Sequence, residues 1–197
     1  MRALGLVVWS MDRWECDDGL ATGAAKFRDQ VRQVRICSPD KDLGQCIRGD
    51  HVVQVDRMRK VTTNEAALRA NRGIGPESIP DLLALVGDDA DGIPGIDGFG
   101  EKGASAVLAR WIHLEKIPAD HRLWDVSVRG AEKLAFTLRE HRAEAALYKK
   151  LATLVEDVPL EEDLEALEFQ GVPRENFREW CEAQGLASTA ERPTRWR

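Results

Sequence analysis

Long apolar runs are missing from this sequence. No stretch approaches the ~20 residues that a membrane-spanning helix needs, and no basic-then-apolar leader opens the chain. The expectation is a soluble cytoplasmic protein with no membrane partner. Cysteine is sparse: the four, at positions 16, 37, 46 and 181, form no C-x-x-C pair and have no histidines at zinc spacing. They read as reduced small hydrophobes, and no structural zinc is expected. Aromatic residues make up only 6% of the chain; Trp111, Trp124, Phe136, Tyr148 and Trp180 are assigned to a helical core rather than to base stacking. The histidines at 51, 113, 121 and 141 are scattered, and none is offered as a ligand. Basic charge is also in deficit, with 28 Lys and Arg against 34 Asp and Glu, a net charge of −6. Taken as a bare total, that argues against a nucleic-acid partner, since affinity for phosphates normally comes from excess Lys and Arg.

The acids are not spread evenly. Eight of them fall into three short clusters: Glu15, Asp17 and Asp18; Asp40 and Asp42; Asp88, Asp89 and Asp91. The 34 acids less these eight leave 26 against 28 bases, a net +2 for the remainder. If cations neutralise the clusters, the rest of the surface does not repel a polyanion.

At 197 residues the chain is one domain, or one and a fraction. Neither an internal repeat nor a low-complexity segment interrupts it. Ala3 to Trp9, Gln33 to Cys37 and His51 to Val55 have the pattern of short strands. A helix running to Phe27 follows the first acid cluster, and Asp40 to Leu43 forms a strand-to-helix turn. Thr62 or Thr63 is a credible N-cap for a helix through Asn71. Strands alternating with helices predict an α/β fold with a largely parallel sheet, whose ligands bind beyond the carboxyl ends of the strands, where the first two clusters lie. Further on, Pro76 to Val86, Ala104 to Trp111, Arg129 to Glu140, Ala143 to Val155 and Phe177 to Gln184 are helical in period, and Ala187 to Arg197 reads as a frayed tail. The division expected is residues 1–61 as α/β portion, 62–186 as helical portion and 187–197 as tail.

The stretch Val86 to Ala104 combines acids with glycines. Asp88 and Asp91 are three apart at the end of an apolar run, a spacing that lets both carboxylates face one way. A calcium loop of EF-hand type is excluded, because counting from Asp89 puts Ile93 at the fifth position and Pro94 at the sixth. A Walker loop is excluded because Gly100-Glu101-Lys102-Gly103 lacks the Gly-Lys-Ser/Thr ending. What remains, Ile93-Pro94-Gly95-Ile96-Asp97-Gly98-Phe99-Gly100-Glu101-Lys102, resembles the helix-hairpin-helix signature of proteins that grip the DNA backbone through N–H groups and a cation. Gly95, Gly98, Gly100 and Lys102 are the candidate DNA-binding residues. If the topology holds, Glu15, Asp17, Asp18, Asp40, Asp42, Asp88 and Asp91 converge on one site. Oxygen-only ligation points to Mg²⁺ or Mn²⁺ rather than zinc, and two ions about 4 Å apart suit phosphodiester hydrolysis.

These segments resemble the 5′-nuclease family, which includes bacterial 5′–3′ exonucleases, the 5′-nuclease domain of DNA polymerase I and flap endonucleases. Glu15-Cys16-Asp17-Asp18-Gly19-Leu20-Ala21 is similar to E-A-D-D-x-(I/L)-A; Asp40-Lys41-Asp42-Leu43 to D-K-D-L; Gly87 to Gly95 to G-D-x-S-D-N-(I/L)-P-G; and Gly98 to Lys102 to G-(I/V)-G-x-K. Cys16, Ala90 and Gly103 stand where the family commonly has Ala, Ser and Thr. The resemblance implies a PIN/resolvase-like α/β portion followed by a helix-three-turn-helix subdomain. It further implies the seven carboxylates as catalytic ligands of two metal ions, a potassium ion held by carbonyls around Gly95 and Gly98, and cleavage of branched or nicked duplex DNA, and sometimes RNA paired with DNA, from the 5′ side. Family members begin with a strand carrying a metal-binding Asp, and this sequence is expected to start after it, as an N-terminally truncated member. Two readings stay open: a metal-dependent 5′–3′ exonuclease or flap endonuclease, and a DNA-binding remnant of impaired turnover.

Overall fold

Residues 1–197 are all described by the structure, a computed structural model. In chain order its helices and strands are α1 (Cys16–Phe27), β1 (Val34–Ile36), β2 (Val52–Asp56), β3 (Val61–Thr63), α2 (Glu65–Arg72), α3 (Ile79–Val86), α4 (Glu101–Trp111), α5 (Ala131–Glu140), α6 (Arg142–Ala152), α7 (Leu164–Leu167) and α8 (Arg174–Ala183), joined by short 3₁₀ turns. None of the helices is long and apolar enough to cross a membrane. Contacts group residues 20–157 into one unit and residues 1–19 with 158–197 into another. That grouping follows packing, whereas the division at 61/62 follows the order of motifs along the chain.

In the larger unit the sheet runs β1-β2-β3. The β1 and β2 strands are parallel, with Val34 opposite Val52 and Ile36 opposite Gln54. Strand β3 is antiparallel to β2, with Gln54 opposite Thr63, so the sheet is mixed rather than largely parallel. The reason is the short connection Arg57 to Lys60, which can close only a hairpin. Asp56 fixes it by accepting from the N–H groups of Met58 and Arg59, both at 2.9 Å. Ala21, Ala24, Ile36, Leu43, Cys46 and Val52 bury one face of this sheet. Because Thr62 and Thr63 belong to β3, the helix that follows is capped instead by Asn64, whose side chain accepts from the Ala67 N–H at 2.8 Å.

Helix α3, IPDLLALV, is buried from Ile79 to Leu85. Its apolar residues pack with Ala104, Val107 and Leu108 of α4 and with Ala145 and Ala152 of α6. Pro80 sits in its first turn, where a missing N–H costs nothing. Asp81 is the exception to its apolar character, fully buried yet satisfied on both oxygens. Oδ1 accepts from the Leu114 N–H at 2.8 Å and lies 2.8 Å from the Lys149 ammonium, while Oδ2 lies 3.0 Å from His113 Nδ1. Lys149 also binds Glu115 at 2.9 Å. Trp111 and Trp124 meet nearby with ring centroids 5.9 Å apart. Phe136 departs from the expected core role and is 56% exposed.

The smaller unit has its own core of Val172, Phe177 and Cys181, against which Ala3, Leu4 and Trp196 pack. The strand expected at Ala3 to Trp9 is absent. Arg2–Leu4 is a 3₁₀ turn closed by Gly5 in the left-handed region, with φ 75°. Ala3 and Leu4 spend their apolar surface on Phe177 and its neighbours, so no sheet forms there. The C-terminal segment is not frayed: the Val172 N–H donates to Arg195 O at 2.9 Å and the Arg197 N–H donates to Val172 O at 3.0 Å. Trp180 lies stacked on Phe177 at 6.2 Å but remains 42% exposed.

Asp81→Ala strands a buried backbone N–H and deprives Lys149 of a carboxylate, and should cost about 3 kcal/mol of stability in urea unfolding. Asp81→Leu combined with Lys149→Met should cost measurably less than Asp81→Ala, because no unpaired charge is left behind.

Candidate metal centre

Three carboxylates from two segments of the larger unit come together. Asp42 lies in the first turn of the 3₁₀ segment Lys41–Cys46, which Asp40 caps by accepting from the Asp42 N–H at 3.0 Å. Asp88 and Asp91 lie in the loop after α3. Gly87 ends that helix at φ 89°, a conformation open to glycine at no cost. Paired 2.8 Å bonds between the backbones of Asp88 and Ile93 then close the loop, while Asp88 Oδ1 accepts from the Ala90 N–H at 3.0 Å. One oxygen each from Asp42, Asp88 and Asp91 lies within 4.8 Å of the others.

Their environments set them apart. Burial, then a hydrogen bond with Asp91, then the charges of Asp40, Asp91 and Asp88 push Asp42 up to about 7. Burial works against ionised Asp88 as well, but the Lys41 ammonium, 2.6 Å from its Oδ2, and the Ala90 N–H outweigh it and hold Asp88 below the usual carboxylate range. Asp42 Oδ1 is buried without a hydrogen-bond partner. An orphaned carboxylate oxygen of this kind normally costs a few kcal/mol, and a hard divalent cation would satisfy it. The all-oxygen donor set fits such an ion.

Of the seven candidate ligands, Asp42, Asp88 and Asp91 are gathered. Asp40 is exposed beside them, serves as a cap, and its charge is felt by Asp42. Glu15, Asp17 and Asp18 lie at the start of α1 as a group of their own. There Asp18 Oδ2 accepts from the Glu15 N–H at 3.1 Å and Cys16 Sγ donates to Asp17 Oδ1 at 3.5 Å. Lys41 was not singled out from the sequence, although a lysine between two aspartates is the natural counter-ion for such a cluster. The Asp81, His113 and Glu115 group was also missed, since its members are 32 and 2 residues apart and belong to no motif.

The hairpin continues directly from this loop. Gly95 has φ 73°, and a Cβ there would lie 2.6 Å from the backbone of Val86 and Gly87, so it must be glycine for the turn to press on the end of α3. The Ile96 N–H donates to Leu85 O at 2.8 Å, and Ile96 and Phe99 are buried anchors. Gly98 has φ 88°. Gly100 differs: it precedes α4 at φ −100°, and a Cβ on it would meet nothing within 4 Å. Packing therefore makes no demand for glycine at 100. The N–H groups of the first turn of α4 have no acceptor within the helix, and Lys102 is exposed there.

Two family profiles cover most of the chain: "5′-3′ exonuclease, N-terminal resolvase-like domain" over residues 1–73 and "5′-3′ exonuclease, C-terminal SAM fold" over residues 74–175. The DNA polymerase I of Bacillus caldotenax is 34% identical over 197 residues, covering 98% of this chain and 22% of that protein. A 5′-3′ exonuclease of Aquifex aeolicus is 37% identical over 118 residues, covering 59% of this chain and 40% of that protein. This chain thus spans about a fifth of the polymerase, 22%. Among solved structures, the bacteriophage T5 5′-exonuclease with zinc bound superposes with TM-score 0.60 at 16% identity, over 93% of this chain and 62% of that one. A bacteriophage T5 flap endonuclease variant in a pseudo-enzyme-product complex with DNA and metal ions gives TM-score 0.61 at 16% identity, over 73% and 51%. At such identities the structural likeness is one of fold.

The raised Asp42 sets a pH dependence for the metal-free protein. A carboxyl whose folded value stands near 7 against an ordinary 3.8 favours folding while protonated, so its contribution is complete below about pH 4 and is lost as pH rises through 7. Melts in EDTA should show stability falling by on the order of 3 kcal/mol between about pH 5 and pH 8. In Asp42→Asn that slope should flatten.

Proposed function

Because this chain belongs to the 5′-3′ exonuclease family, we propose that it is a divalent-metal-dependent nuclease that hydrolyses DNA phosphodiesters from the 5′ side of branched or nicked duplexes. The observation that carries this reading is the orphaned, buried Asp42 oxygen beside Asp88 and Asp91, in the loop that leads through the glycine turn to the start of α4. Mg²⁺ or Mn²⁺ would be held by Asp42, Asp88 and Asp91, with Asp40 beside them as a further ligand. When bound, such ions supply activated water and stabilise charge on the phosphoryl and leaving oxygens. The chain's own residues do the holding. Asp88, held ionised by Lys41, would be a fixed ligand, and Asp42 would hold the metal as the carboxylate. The N–H groups of Gly98 and Gly100, with Lys102, take backbone phosphates without reading bases. Carbonyls around Gly95 and Gly98 are the place for a potassium ion, and RNA paired with DNA is a further substrate.

The test joins Mn²⁺ calorimetry to single-turnover cleavage of a 5′-flap duplex. Asp42→Asn with Asp91→Asn should abolish Mn²⁺ binding and lower cleavage by on the order of a hundredfold or more, with the fold intact. Cleavage that persists in the double variant sinks the assignment. Tight DNA binding with Mn²⁺ bound and no cleavage by the unaltered chain would favour the binding-remnant reading instead.

For the hairpin, Gly100→Val should leave stability unchanged, since a side chain there meets open space, and yet weaken duplex binding for every base sequence. Lys102→Ala should lower the salt slope of binding by about one. A change in sequence preference in either variant would mean that the hairpin reads bases.

A further inference from the structure

The two acidic groups of the larger unit each contain a lysine, and the lysines are held differently. Lys149 is 22% exposed and is shared between Asp81 and Glu115, with His113 and the Leu114 N–H completing Asp81. It is locked into a structural network. Lys41 is 45% exposed and meets a single carboxylate oxygen, Asp88 Oδ2 at 2.6 Å, beside the Asp42 oxygen that has no partner. One ammonium therefore serves a cluster of three carboxylates and leaves part of it unsatisfied. Lys41 also lines a recess of about 370 Å³ with Gln54, Thr63, Asn71, Arg72 and Glu101. Arg72 contributes a second cation to that recess, and its Glu101 partner is exposed at 3.4 Å.

We propose that Lys41 is the resident counter-ion of the metal centre: in the metal-free protein its ammonium occupies the space between the carboxylates and the recess, and when a divalent ion displaces it, Lys41 turns to the recess and, with Arg72, takes a substrate phosphate. The inference rests on the reading of Asp42, Asp88 and Asp91 as metal ligands. The ammonium and a divalent ion compete for the same Asp88 oxygen, so the lysine weakens metal binding and supports the metal-free fold. Entry of the ion releases a cation next to the point where the anionic substrate must arrive. A monovalent side chain cannot satisfy three carboxylates, whereas a divalent ion can, and this makes the exchange favourable.

Lys41→Met tests it with Mn²⁺ alone as the first probe. Calorimetry should show Mn²⁺ affinity raised by roughly fivefold, and melts in EDTA should show a lower melting temperature than wild type, with the gap closing when Mn²⁺ is added. Binding of a 5′-flap duplex in Ca²⁺ should weaken by roughly tenfold. Lys41→Arg should restore the duplex affinity. Unchanged or weaker Mn²⁺ binding in Lys41→Met, with wild type binding Mn²⁺ and Asp42→Asn/Asp91→Asn not, overturns the counter-ion role while leaving the metal site standing. Unchanged duplex binding overturns the phosphate role. Wild type and Lys41→Met both failing to bind Mn²⁺ would overturn the site and this inference together.

Discussion

A helix buried on every side can carry charge only near its ends, and α3 does so at both. Near its start Asp81 draws Leu114, His113 and Lys149 onto one carboxylate, which ties α3 to the turn after α4 and to α6. At its end Gly87 turns the backbone out of the core and sets down Asp88, buried but ionised against Lys41. The apolar middle, Leu82 to Leu85, supplies the packing that keeps both ends in place. Without that burial, the acidic loop would be a solvated turn like many others.

The metal-free site is an arrangement of unequal carboxylates. Asp88 has a cation and a backbone N–H, Asp91 has a hydrogen bond with Asp42, and Asp42 keeps one oxygen with nothing to bond. Such a site is held together by the fold against its own repulsion, as sites built for a transient ligand tend to be. The same unevenness would divide the work in the proposed metal site: Asp88 would anchor an ion as it stands, and Asp42, whose carboxyl is pushed up to about 7, would bind it only as the carboxylate.

Most of the larger unit was legible in the sequence because its signals are local. Strands β1 and β2, helices α1, α3 and α4 and the glycine turn all fall where apolar period, proline and glycine placed them. Pairing was less legible. Ala3 to Trp9 has strand composition, but Gly5 closes a 3₁₀ turn and the apolar residues find Phe177 instead. Thr62 and Thr63 look like caps, yet Asn64 has the side chain that reaches Ala67. Phe136, read as core, faces solvent beneath the Arg139 guanidinium, 5.1 Å from its ring centroid. Of the seven acids that the motifs singled out, Asp42, Asp88 and Asp91 lie together, while the Lys41 pair and the Asp81 network depend on contacts between segments 47 and 68 residues apart, which no local pattern encodes.

The close approach of Gly95 to the end of α3 joins the turn that would grip a duplex to the loop that would hold the ions. A Cβ would already collide at 2.6 Å, so the two cannot slide past each other without unpacking the helix. The glycine turn and the acidic loop therefore stand at a fixed offset, like the jaws of a caliper set to one width.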